Sequence, residues 1–142
     1  MLDERVYSTL ASNGRLAVAT TTATMLSWLG EVIHNAYELP ALTVLSPESS
    51  IPGVIAALLL AAYLFSAYTR VALWSLLLVG LLNLIGGGIL SVLPLGIFPF
   101  APAQNLQHYL THVFYSIMEL PLVLITMVQL KGHGFEPSGE GP

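Results

Sequence analysis

Four apolar segments, each close to the length that crosses a lipid bilayer, are the strongest constraint on this chain. A helix needs about 20 apolar residues to cross the hydrocarbon core. The segments cover approximately residues 16–37, 53–68, 71–93 and 107–130. The second segment is the shortest, and it needs flanking residues or a thinned bilayer to span. The sequence therefore predicts an all-α integral membrane protein with four transmembrane helices in an up-down-up-down bundle.

The composition supports this class and excludes several others. Only 8% of the 142 residues are charged and 55% are hydrophobic, whereas a soluble domain usually has about 25% charged residues. There is no basic patch for nucleic acid, so none is expected as a partner. Cysteine is absent, which excludes disulfides, thiolate metal sites and cysteine nucleophiles. The expected partners are the lipid bilayer and other membrane subunits or further copies of this chain.

The predicted helices divide the chain into three parts. Residues 1–15 form an N-terminal segment, residues 16–130 form the four-helix transmembrane domain, and residues 131–142 form an irregular tail. The sequence SPESSIPG at 46–53 predicts a turn that also caps the second helix. Three glycines at 86–88 indicate either close contact with a neighbouring helix or a local kink, or alternatively a broken helix that lines a site.

The basic residues predict the orientation of the chain in the membrane. Arg5 and Arg15 precede the first predicted helix, Arg70 lies between the second and third, and Lys131 follows the fourth. If the chain crosses the membrane four times, the regions that contain these basic residues all lie on the same side of the membrane. The positive-inside rule then places both termini in the cytoplasm, and we expect the chain in the plasma membrane, which is the inner membrane of a bacterial cell.

Two narrow stripes of polar side chains interrupt the apolar helices. An α-helix turns about 100° per residue, so the first stripe covers about 100° of helix 1 and the second covers about 60° of helix 4. The stripe on helix 1 consists of Glu31, His34, Asn35 and Glu38. The stripe on helix 4 consists of His108, His112, Tyr115 and Glu119. Such residues are costly in lipid and usually face a bundle interior, a cavity or one another.

The heights of these residues along their helices match in pairs. His34 and His112 are each 19 residues from the basic residue that anchors their helix on the cytoplasmic side, which is about 28 Å at 1.5 Å per residue. Glu38 and His108 are each 23 residues from the same anchors. If helices 1 and 4 are neighbours, the sequence predicts that His34 meets His112 and that Glu38 meets His108, near the outer face.

Each stripe is followed by a proline within the sequence Glu-Leu-Pro. Pro40 and Pro121 lack an N–H group and displace the carbonyl four residues earlier. The freed carbonyls belong to Ala36 and Ile117. We predict a bend in helix 4 near 117–121, whereas Pro40 marks either a bend in helix 1 or its end.

The first functional hypothesis is a transition-metal or haem site between helices 1 and 4. Glu31 and His34 have the i, i+3 spacing of di-metal helix bundles, and two histidines at i, i+4 can bind one ion. The candidate metal ligands are Glu31, His34, His108, His112 and Glu119. The donor set suits iron, copper, zinc or manganese. Alternatively His34 and His112 would bind one haem from facing helices. The expected role is redox chemistry or metal handling. Glu38 and Tyr115 are further polar residues of the predicted site.

Three other functions remain open from the sequence. A stripe of His and Glu can serve transport or a proton relay, with Asn83, Thr126 and the threonine-rich start of helix 1 continuing the path. The same residues can pair across helices in a small structural subunit of a larger membrane complex. Acid–base catalysis on a lipid or isoprenoid by Glu31 or Glu119 together with His34 needs no metal. Whether the protein is an enzyme is left open.

The predicted topology can be tested by labelling introduced cysteines in intact cells. Cysteines at Ser49 and Ala103 should react from outside the cell, because both connections lack Lys and Arg. Cysteines at Ser12 and Ser138 should react only after permeabilisation. Labelling of position 138 from outside would contradict the four-span topology.

Overall fold

A computed structural model describes residues 4–39, 41–95 and 102–132, with side chains described from residue 13 onward. All regular structure in these residues is helical. The α-helices are α1 (Glu4–Glu38), α2 (Pro47–Phe65), α3 (Thr69–Leu81) and α4 (Leu106–Gly132). A π-helical segment, Leu82–Ile89, and a short 3₁₀ turn, Leu90–Val92, continue directly from α3.

Four helical segments of the described chain are long and apolar enough to cross a membrane. They are Asn13–Glu38, Pro47–Phe65, Thr69–Val92 and Leu106–Gly132. The predictions of an all-helical chain and of four apolar helices with membrane-spanning length are therefore confirmed. Pro40 and most of the predicted tail, 133–142, lie outside the described residues.

The proline positions affect α1 and α4 differently. Helix α1 ends at Glu38, just before Pro40, as expected if this proline marks the end of the helix. Helix α4 continues through Pro121 without a change of helix type. The bend near 117–121 stays a prediction.

The start of α2 differs from the prediction. The segment predicted as a turn at 46–53 is helical from Pro47 onward. Proline is well tolerated at the first helical position, and Glu48 in the first turn complements the helix dipole. Ser49 is therefore buried, with 1% of its surface exposed. Leu45, which is 87% exposed, is the better position for the labelling experiment.

The glycines at 86–88 lie inside the π-helical segment. A Cβ atom on Gly87 would lie 2.8 Å from Cε1 of Tyr115, and one on Gly88 would meet the side chain of Ser116. The predicted close contact with a neighbouring helix is therefore confirmed. The helix is also irregular at this point, because the segment Leu82–Ile89 is π-helical, and an irregular helix at these glycines was one of the alternatives that the sequence left open.

Helix α4 packs most extensively against α1. Gly30 allows the close approach, because a Cβ at this position would lie 2.6 Å from Cβ of Met118. Farther from the histidines, Leu73, Leu76 and Leu122 form the centre of an apolar core. This packing presents one face of α1 to one face of α4 over most of their length.

A row of buried polar side chains, here called the polar seam, follows this interface. The seam consists of Thr20, Thr24, Ser27, Glu119, Thr126 and Gln129. The amide nitrogen of Gln129 donates to Thr20 Oγ1 at 2.6 Å, and the Tyr63 hydroxyl donates to Gln129 Oε1 at 2.8 Å. Hydrogen bonds of this kind link helices where no water is available.

Candidate functional site

Three histidines from α1 and α4 form the centre of the candidate site, and we call them the imidazole cluster: His34, His108 and His112. The Nε2 atoms of His34 and His112 are 3.2 Å apart. The ring of His112 is edge-on to the other two rings, with centroid distances of 4.5 Å to His34 and 4.4 Å to His108. The prediction that His34 and His112 face each other is confirmed.

The second predicted pair also forms. Nδ1 of His108 is 2.7 Å from Oε2 of Glu38. The His108 side chain is 9% exposed, and that of Glu38 is 20% exposed. The other ring nitrogen of His108, Nε2, is buried and has no hydrogen-bond partner within the described residues. Buried polar atoms are rarely left in this state.

The π-helical segment positions the ring of His112. Nδ1 of His112 is 2.8 Å from the backbone carbonyl oxygen of Gly87, and the Ser91 hydroxyl donates to the same oxygen. Because a carbonyl only accepts hydrogen bonds, Nδ1 of His112 must carry the proton. In the neutral ring, Nε2 then presents its lone pair towards His34. Short π-helical segments often occur at functional sites.

The surroundings of His34 favour the same tautomer. Its Nδ1 lies 3.4 Å from the Asn35 side-chain oxygen. The Asn35 amide nitrogen donates to the Ser49 hydroxyl and to the Glu48 carbonyl, each at 3.3 Å, which leaves the amide oxygen for His34. With Nδ1 of both rings directed to acceptors, two lone pairs would face each other at 3.2 Å. A proton or a metal ion between them removes that repulsion.

The predicted carboxylate ligands lie apart from the imidazoles. Glu119 is fully buried and accepts hydrogen bonds from Ser27 at 2.8 Å and from Asn83 at 3.4 Å. Glu31 lines a cavity of about 210 Å³ together with Ser27 and Asn83. Tyr115 stacks at a tilt on His34, with 5.1 Å between ring centroids. Among described residues, no hydrogen bond or ion pair joins either carboxylate to an imidazole.

The five predicted metal ligands thus fall into two groups. In the part of the chain that the structure describes, no three His, Asp or Glu side chains stand together in the geometry of a metal site. The facing nitrogens of His34 and His112 form a two-nitrogen pair, with His108 beside them. Glu31 and Glu119 form a separate oxygen-rich group nearer the middle of the helices.

Several contributors to the site were not identified from the sequence. Ser27 precedes Glu31 by four residues, so the helical period places both on one face and could have identified it. The carbonyl of Gly87 could not be identified from side-chain spacing, because its position depends on the π-helical segment. Gln129 was missed because its partners come from helices α1 and α2.

Comparisons of the chain with protein-family models, with curated proteins and with solved structures gave no match. The interpretation of the site therefore depends on its own geometry.

Replacing Gly87 with Ala should disturb the site, because the new Cβ would lie 2.8 Å from Tyr115 Cε1. Overpacking of this kind costs about 1–3 kcal/mol, which lowers the melting temperature by about 2–4 °C per kcal/mol for a chain of this size. Thermal unfolding in detergent measures the change. Gly86→Ala is the matched control, since no atom lies within 4 Å of its Cβ position. Equal melting temperatures for the two variants would contradict the proposed packing.

Proposed function

We propose that the protein is an integral membrane protein that binds a transition-metal ion between His34 and His112, for metal handling or redox chemistry. The observation that carries the proposal is the pair of facing Nε2 atoms, 3.2 Å apart. In the orientation that the basic residues favour, both termini are cytoplasmic and the imidazole cluster lies near the outer face of the plasma membrane. The ion would then arrive from outside the cell.

The distance between the two nitrogens suits one shared ion. Nitrogen ligands lie about 2.0–2.1 Å from zinc, and two of them at a tetrahedral angle are about 3.3 Å apart. The observed separation is 3.2 Å. Histidines that bind metals usually donate their other ring N–H to a carbonyl or carboxylate, which is the arrangement of His112 with Gly87. Both features support a direct ion site.

The same distance disfavours the haem alternative. Two axial imidazoles lie on opposite faces of the haem, with nitrogens about 4 Å apart at about 2 Å from the iron each. The rings of His34 and His112 instead meet edge to face with centroids 4.5 Å apart, which leaves no layer for a macrocycle. An all-imidazole environment suits zinc, copper or iron, whereas manganese prefers oxygen ligands.

Removal of either facing histidine should abolish most metal binding. We expect His34→Ala and His112→Ala each to weaken the affinity for Zn²⁺ by about tenfold or more. Even the loss of a residue that only orients a metal ligand typically lowers metal affinity by about 10–100-fold. Elemental analysis and titration of the purified protein in detergent measure this, and circular dichroism checks the fold. His133→Ala is the control and should bind normally. Stoichiometric binding that survives both substitutions would end the proposal.

A proton relay is the second candidate function, and the polar seam is the observation that favours it. The seam continues below the imidazole cluster from Glu119 and Ser27, which are joined at 2.8 Å. Farther along, Gln129 of α4 is joined to Thr20 of α1 and to Tyr63 of α2 by two further hydrogen bonds. Ionisable groups in a membrane interior often carry protons along such rows.

Proton flux into vesicles that contain the purified protein tests the relay. Under this candidate function, Glu119→Gln should remove most of the flux, because an amide in place of the buried carboxyl cannot exchange the proton. Glu48→Gln is the matched control, since Glu48 is exposed at the start of α2. A wild-type protein without measurable flux rules out this candidate, and absence of metal binding as well would leave the role of a structural subunit.

A further inference from the structure

We propose that His108 is the third ligand of the ion, that Glu38 is the positioning residue for His108, and that a fourth coordination position is open to a small ligand from solvent. This inference rests on the proposed metal site of His34 and His112. It names the three protein ligands of the ion and the kind of small molecule that the ion can bind in addition.

The unpartnered ring nitrogen of His108 is the first observation. Its Nε2 is buried and has no hydrogen-bond partner in the described residues, and the residue as a whole is 7% exposed. An unsatisfied buried polar atom costs about 1–3 kcal/mol. A bound ion would give this nitrogen a partner, which it does not have among the described residues.

Glu38 determines which nitrogen of His108 is free to bind. Its carboxylate oxygen lies 2.7 Å from Nδ1, and a carboxylate accepts hydrogen bonds, so Nδ1 carries the proton. The lone pair of the neutral ring is then on Nε2, the buried nitrogen. A carboxylate that orients a histidine in this way is a common second partner at metal sites and also increases the basicity of the ligand.

The position of His108 brings it within reach of the facing pair. Its ring centroid is 4.4 Å from that of His112, which is 4.5 Å from His34. The three nitrogens are not yet arranged as a three-ligand group, so His108 must rotate about its side-chain bonds when the ion binds. Glu38 is near the end of α1 and is partly exposed, so its side chain can follow the ring.

The described residues contain three histidines and no cysteine, and all three imidazoles belong to the cluster. Glu38 is engaged by His108, and Tyr115 stacks on His34. The sequence at 96–101, GIFPFA, contains no imidazole, carboxylate or thiol. Three protein nitrogens with an exchangeable fourth position are the ligand set of catalytic zinc sites. The ion would therefore hold water or a small anion from the outer side.

Cobalt(II) in place of zinc makes the coordination visible by absorption. The intact protein loaded with Co²⁺ should show the intense visible bands of four-coordinate cobalt, and thiocyanate should shift them by replacing the solvent ligand. His108→Ala should weaken Zn²⁺ binding by about 10–100-fold and change the cobalt spectrum. Glu38→Ala should also weaken binding, whereas Glu38→Gln, which keeps a hydrogen-bond acceptor, should restore most of it.

His133→Ala and Glu48→Gln are the matched controls, and melting temperatures confirm that each variant is folded. If His108→Ala leaves both affinity and spectrum unchanged while His34→Ala and His112→Ala abolish binding, the third ligand is wrong and the two-histidine site stands. A spectrum that thiocyanate does not change overturns the open position. If the wild-type protein binds neither metal, this inference and the proposed function both fail.

Discussion

Four helical segments of the described chain are long and apolar enough to cross a membrane, and a membrane interior without water would constrain where their polar groups can lie. Backbone groups there must be satisfied within helices, and polar side chains must find partners inside the bundle. The interface between α1 and α4 supplies such partners for most of its polar groups. Thr20 and Gln129 pair in the polar seam, Glu119 is held by Ser27 and Asn83, and the imidazoles meet at one end, where Nε2 of His108 has no partner among the described residues. A site with several ionisable groups thus lies within the main packing surface of the fold.

The irregular end of α3 connects backbone geometry to the chemistry of the site. Close contact requires glycine at 87, because a side chain there would collide with the Tyr115 ring. The same residue supplies the carbonyl that fixes the tautomer of His112. Gly87 lies in the last turn of the π-helical segment, where the carbonyls of a helix lack partners within it and can accept from side chains. Packing and ligand orientation therefore depend on one short segment.

Helical geometry explains why part of the site could be predicted from the sequence. Rise and rotation per residue are nearly constant, so counting residues from the basic anchors matched His34 with His112 and Glu38 with His108. Counting residues along α1 and α4 could not predict contacts that involve another helical segment. The Asn83 bond to Glu119 and the Gly87 bond to His112 depend on the position of the π-helical segment, which residue counts along α1 and α4 do not give. The early start of α2 was missed because proline and serine also favour turns.

The arrangement of hydrogen-bond acceptors around the cluster bears on whether the proposed occupant is a metal ion or a shared proton. His112 and His108 direct Nδ1 to acceptors that require an N–H, the Gly87 carbonyl and the Glu38 carboxylate. Their Nε2 atoms therefore hold the lone pairs. A proton on Nε2 of His34 would give Nε2 of His112 a hydrogen-bond donor at 3.2 Å. It would leave Nε2 of His108 buried and without a partner among the described residues. The proposed metal ion could bind all three lone pairs once His108 rotates, and it would then give each Nε2 atom a partner. Glu31 and Glu119 lie apart from the imidazoles, so the proposed ion would meet nitrogen ligands rather than oxygen ligands. Nitrogen ligands favour zinc or copper over manganese.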